Sequence, residues 1–245
     1  MENTSRVALS SQDSLRRQLT VVANNIANMN TTGFKGEKMM FVQHLVQSKG
    51  GEKIFGDKIA YVRDVATVRD LSEGPIQTTG NPLDVAISGE GFFVVKTADG
   101  ERYTRNGNFK LDDTGQLVTQ RNDPVLSDSG QPFVFSARDT EINISRDGVV
   151  STENGELGRM RVVRFDNEQQ LRATSSGLYS AGGGAPQNVA KPDIMQTMIE
   201  GSNVQPIIEI TRMIELNRAY GAAQKFIDRE DERIQKMVQE FARVA

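Results

Sequence analysis

The chain has 245 residues, 29 basic against 32 acidic side chains, a formal net charge of -3, one histidine and no cysteine. The balanced charge argues against nucleic acid or an anionic membrane as the main partner, and the length suits one large domain or two smaller ones. Disulfides, thiolate metal sites, cysteine nucleophiles and, with His44 alone, multi-histidine metal sites are excluded, and no run of 18 apolar residues is present to span a bilayer.

The opening MENTSRVALSSQDSLRRQL lacks a basic stretch followed by an apolar core, so no Sec-type signal peptide is expected. From Ala8 onward one class of position repeats every seven residues, at Ala8, Leu15, Val22 and Met29. A second set, Gln12, Leu19 and Ile26, lies four residues further on. Leu15, Leu19, Val22, Ile26 and Met29 fall within roughly an 80° arc of a helical wheel. So narrow a stripe is the seam of a coiled coil rather than the broad face of a globular helix. The stretch NNIANMNTTGFK (24–35) continues this rhythm with Asn24, Asn25, Asn28 and Asn30, although asparagine is a mediocre helix former. From Gln18 to Phe34 there is no charged residue, so the amide face is expected to be buried against other subunits rather than solvated. Gly33 is expected at the left-handed position after the helix, with Met29 and Phe34 closing a Schellman cap.

Residues 36–80 read as an extended, partly stranded connector. From 81 to 180 the apolar period changes to two and turn signals multiply, at Asp99-Gly100, Asn106-Gly107, Thr114-Gly115, Ser129-Gly130 and Asp147-Gly148. Strands are expected at 83–87, 92–96, 102–105, 109–111, 117–119, 134–136, 141–144, 148–151 and 160–165. Many short strands at this spacing indicate an all-β domain, barrel or sandwich-like. Residues 181–203 form a return connector, Gly/Pro-rich over AGGGAPQNVAKPD.

The C-terminal segment, 204–245, reads as one helix from about 206. Met213, Leu216, Tyr220, Ala223, Ile227, Glu230, Ile234, Met237, Phe241 and Val244 alternate in steps of three and four, and all but Glu230 are apolar. Such a helix is about 60 Å long at ~1.5 Å per residue. A strict heptad held over this distance implies left-handed supercoiling against a partner. Two ordinary long helices in a bundle remain the alternative. The reading is an α+β fold: a coiled-coil unit made from helix 1–35 and helix 204–245, with the β domain inserted between them.

Candidate chemistry is sparse. SGEGFFVV (88–95) has Val94 where a dinucleotide loop needs its third glycine, and a strand follows, so it reads as a turn. His44 has no second ligand, and the acidic clusters read as solvated faces. No nucleophile, base and orienting group come together, so no catalytic residue, metal or cofactor site is expected. Binding and assembly are what the pattern supports.

At these residues the chain resembles the rod, hook and hook-associated axial proteins of the bacterial flagellum. NNIANMNTTGFK, and within it Asn24, Asn25, Ala27, Asn28, Thr31, Thr32, Gly33, Phe34 and Lys35, is similar to the family's N-terminal signature. TGNPLDVAISGEGFFVV (79–95) and ERYTRNGNF (101–109) resemble the rod-protein core, and EGSNVQPIIEITRMIELNRAYGAAQKFI (200–227) the C-terminal counterpart. The opening segment and the modest length resemble the proximal-rod type more than the distal-rod type. The resemblance implies a structural subunit exported by the flagellar type III apparatus without a cleaved signal. It implies assembly in the periplasm, with itself and other rod proteins, into a helical tube that transmits torque. The implied assembly seam is Leu15, Leu19, Val22, Ile26, Met29, Met213, Leu216, Tyr220, Ala223, Ile227, Ile234, Met237 and Phe241. The rival readings are a distal rod or hook-type subunit, and a secreted β-rich adaptor or adhesin with oligomerising helices.

Overall fold

The computed structural model describes residues 2–47, 58–136, 139, 141–174 and 177–244. The chain forms two compact units, one of Met1–Ala27, Glu37–Arg69 and Gln205–Ala245, the other of Asn28–Gly36 and Asp70–Val204.

The first unit holds two long helices, α1 (Glu2–Ala27) and α2 (Pro206–Val244). Proline suits the first turn of α2, where its missing N–H has no helical partner to lose. The helices run antiparallel: Asn25 Nδ2 donates to Glu209 Oε2 at 3.3 Å, and Gln12 Nε2 donates to Gln224 Oε1. The expected connector at 36–80 is largely strand. β1 (Glu37–Gln47) and β2 (Lys58–Arg69) pair antiparallel, with a bulge between Met40 and Phe41, and both contact α1. Residues 48–57 of that expected connector lie outside the described residues.

The second unit is built from small antiparallel sheets. β3 (Ile76–Thr78) pairs with β17 (Met198–Glu200), and β4 (Val85–Ser88) with β16 (Asp193–Gln196). β7 (Phe109–Leu111) pairs with β8 (Leu117–Thr119). β9 (Asn143–Ile144), β10 (Val149–Thr152) and β11 (Gly155–Arg159) form a three-stranded sheet. The largest sheet has six strands. Its order is β13 (Arg172–Ala173), β14 (Tyr179–Ser180), β6 (Gly100–Thr104), β5 (Phe92–Thr97), β12 (Val162–Arg164) and β15 (Gln187–Asn188). Among the described residues no sheet closes into a barrel. The expected strand at 134–136 is reduced to one bridge, Gln116 to Val134. The return segment, expected as a connector, supplies β15, β16 and β17 to these sheets.

The four residues Phe92–Val95 are all buried because β5 has packed material on both faces. Phe93 and Val95 point into a core with Phe109, Leu117 and Phe133. Phe92 and Val94 point into a second core with Tyr103, Phe165 and Tyr179. A strand covered on both sides reads as a continuous apolar run rather than an alternation. Edge-to-face aromatic pairs fix the packing, with Phe93–Phe109 centroids at 5.3 Å and Phe92–Tyr179 at 5.7 Å.

Two turn expectations are corrected. Thr97 pairs with Gly100, so the β5–β6 hairpin turns on Ala98-Asp99, one residue earlier than Asp99-Gly100. Asn106-Gly107 is no primed turn. Gly107 has negative φ and is required by close approach, since a Cβ there would lie 1.7 Å from the Val85 carbonyl oxygen.

Candidate assembly surface

On α2 the heptad positions are the covered ones. Leu216 is buried, and Met213, Tyr220, Ala223, Ile227, Glu230 and Met237 are half-buried, while most other positions are exposed. Ile234 departs from this, being exposed. The Phe241 side chain lies outside the described residues. On α1, Val22 is buried, and Leu15, Leu19 and Ile26 are half-buried. Their stripe is broadened because α1 packs on α2 and on β1–β2 together. Ser14 and Asn25 are therefore buried beside it, which a two-helix seam does not anticipate.

Met29 does not extend this stripe. α1 ends at Ala27, and residues 28–36 are taken into the β unit. The Schellman cap is absent. Gly33 has φ of +68°, as expected, but its N–H donates to the Glu200 carbonyl at 2.7 Å, and the Phe34 N–H donates to Thr31 at 3.2 Å. A Cβ on Gly33 would sit 2.6 Å from the backbone of Arg105 and Asn106. The glycine is thus needed twice, for its φ and for that close approach.

The asparagines divide by role. Asn25 is buried and works as a bracket. Its Nδ2 donates to the Glu37 carbonyl at 2.8 Å, and its Oδ1 accepts from the Glu37 N–H at 2.9 Å. Asn24 and Ala27 are exposed on α1. Asn28 lies past the helix end, where its Oδ1 accepts from the Thr31 hydroxyl at 3.1 Å, so it is a turn residue rather than part of a helix face. Thr31 is exposed, and Thr32 and Phe34 are half-buried.

Lys35 has the most demanding position. It is 2% exposed, and its Nζ lies 2.6 Å from Glu200 Oε1, itself on a residue 1% exposed. Nζ also donates to the Ser72 carbonyl at 2.7 Å. Glu200 Oε1 accepts the Gly74 N–H at 3.0 Å, and its Oε2 is 3.5 Å from Arg105 Nη1. Arg105 is buried, donates to the Ile87 and Gly89 carbonyls at 3.3 and 2.5 Å, and lies 5.5 Å above the Phe92 ring. Burial pushes the Lys35 ammonium below its ordinary range, and the hydrogen bond and charge of Glu200 oppose that. Beside this cluster Asn203 ties the surrounding backbone. Its Oδ1 accepts the Gly36 N–H at 2.7 Å, and its Nδ2 donates to the Asp70 and Ser72 carbonyls at 2.9 and 3.0 Å.

Three family models cover the chain in order. They are described as flagella basal body rod protein (6–35), flagellar hook protein FlgE/F/G D1 domain (86–152) and flagellar basal body rod FlgEFG protein C-terminal (195–240). A flagellar basal-body rod protein FlgF of Caulobacter vibrioides is 40% identical over 246 residues, covering 100% of both chains. The chain belongs to the flagellar basal-body rod protein family. It is of the FlgF type and a structural rod subunit, not an enzyme. A FlgF of Mesorhizobium japonicum is 31% identical over 90% of each chain, and a FlgG of Bacillus subtilis 33% identical over 94% of this chain and 96% of its own. Lys35, Arg105 and Glu200 fall one in each of the three rod-family segments. The family's motifs, read separately as sequence, therefore meet in one buried charge cluster. Sequence reasoning missed this; the one signal was Lys35, which follows the charge-free run from Gln18 to Phe34.

Proposed function

We propose that this rod subunit occupies the proximal part of the rod and assembles with other copies and other rod proteins into a helical tube across the periplasm. Its helical unit builds the tube wall as a coiled coil. Torque passes along the tube through these packed helices. The subunit reaches its site through the type III export apparatus. The observation that carries the reading is the α1–α2 pair, whose covered stripe contains most of Leu15, Leu19, Val22, Ile26, Met213, Leu216, Tyr220, Ala223 and Ile227. Met237 extends the stripe toward a region where α2 is longer than α1, and Ile234 beside it is exposed. α2 spans 39 residues against 26, so its far end needs a partner from another subunit. Proximal placement is supported by the full-length match to a FlgF, 40% identical over 246 residues. No helix is long and apolar enough to cross a membrane among the described residues, consistent with a subunit held by protein contacts. The test is electron microscopy of basal bodies from a strain lacking the gene. Rods absent or stopped short are expected, and complete rods in that strain would overturn the assignment.

A further inference from the structure

Two uncharged patches lie on the helical unit away from the α1–α2 seam. The first is a ridge on α2. Ile207 is 81% exposed, Ile210 46% and Ile214 49%. Their spacing places them within roughly a 60° arc, centred about 130° round the helix from the heptad stripe. The second is on the last turns of α1, where Thr20, Ala23, Asn24 and Ala27 are all exposed. Three features distinguish these patches from ordinary solvated surface. The earlier outer face of α1 carries exposed Asp13, Arg16 and Arg17, and the later outer face of α2 carries exposed Arg218 and Lys225, so on both of these faces charge is withdrawn at this level. The patches are complementary in shape, since one is bulky and β-branched and the other is small, the pairing that lets helices approach closely. They also lie at the same level of the pair, because antiparallel packing sets Asn25 beside Glu209.

We infer that the isoleucine ridge of one subunit seats on the Thr20–Ala27 face of a second copy of this chain beside it, at the same level. This rests on the rod-subunit reading and names the contact by which neighbours meet. The two surfaces differ, so the contact is head-to-tail, leaving a free ridge at one end and a free face at the other. Such contacts propagate as rings or open helices. Two ridges meeting each other would instead close a dimer and end growth.

The chain contains no cysteine, which permits a clean test. Ala23→Cys and Ile210→Cys are introduced together into the full-length protein in motile cells. Purified basal bodies are treated with a short bis-maleimide and probed for this protein. A ladder of covalent multimers is expected, at least about tenfold stronger than from either single variant, consistent with helix axes about 8–10 Å apart. Ala23→Cys with Glu215→Cys, exposed at the same level but off the ridge, gives no ladder. Ala27→Cys with Ile207→Cys repeats the test should the first pair impair folding. Subunit present in the rods with no ladder from either pair overturns the inference and leaves the rod reading standing. A dimer from Ile210→Cys alone also overturns it. Absence of the protein from purified basal bodies overturns the rod reading and this contact with it.

Discussion

Replacing Glu200 with leucine removes the only carboxylate, among the described residues, that pairs with both Lys35 and Arg105. It deletes the 2.6 Å bond from Lys35 and the 3.0 Å bond from the Gly74 N–H, and leaves Arg105 Nη1 without the charge 3.5 Å away. Leaving a buried ion unpaired costs about 3–5 kcal/mol, which is a large share of a typical total of about 5–15. For a unit of this size that corresponds to a fall in melting temperature of roughly 6–20 °C. The assay is calorimetry of the full-length protein, following the transition of the β unit. Lys35→Met alone should also destabilise, because it leaves the buried carboxylate with only the Gly74 N–H and the Arg105 charge 3.5 Å away. The Lys35→Met/Glu200→Leu double variant should lose at least about 2 kcal/mol less than the sum of the singles, since it removes both charges. Arg105 then keeps its two carbonyls and the Phe92 ring. A shift below about 2 °C for Glu200→Leu, or strictly additive losses, would refute the coupling and reduce the cluster to ordinary packing.

The other expectations concern the glycine, the seam and pH. Gly33→Ala should destabilise the β unit by more than about 1 kcal/mol in denaturant titration, because φ is positive and the backbone of Arg105 obstructs the methyl group. Leu19→Asp and Ile227→Asp should abolish motility, with rods missing by electron microscopy, while the β-unit transition stays within about 2 °C of the parent; each sets an unpaired charge in the packed stripe. A motile strain carrying either change would count against the seam. Burial raises the Glu168 carboxyl above its ordinary 4.5, with Arg105 opposing and Glu90 adding to the rise. The folded chain therefore holds the extra proton between 4.5 and the folded value. The contribution of this group to stability is full below 4.5 and is lost as pH rises through the folded value. Glu168→Gln should flatten that limb of the stability–pH curve, and an unchanged slope would show that the group does not titrate there.

Much of the architecture was legible because it rests on local repetition. The heptad of α2 marked most of its covered stripe, since a helix writes its buried face into its own spacing, although Ile234 is exposed. FFVV was legible as a strand, and its burial on both faces came from the structure. Turn residues fared less well. Gly107 and Gly33 both carry meaning, but that meaning is another segment's backbone at close range, the Val85 carbonyl in one case and Arg105 in the other. Neither partner is near in sequence. The end of α1 was misplaced for the same reason: the apolar rhythm continues to Met29, but residues 28–36 find stronger partners in the β unit than in a further helical turn.

Residues 36–80 show the limit most clearly. Their mixed composition suggested an extended connector, and strand pairing between 37–47 and 58–69 became definite only once both segments were set beside α1. The sequence by itself determined the α+β class, the helical ends, the inserted strands and the family, because periodicity and contiguous motifs carry these. Only the tertiary structure decided that Asn25 is a bracket, that Asn203 is a clamp and that Lys35, Arg105 and Glu200 share one buried site. Those roles depend on contacts across tens to hundreds of residues. A side chain's type states which bonds it can make, but only the folded chain supplies the partner that makes burying it favourable.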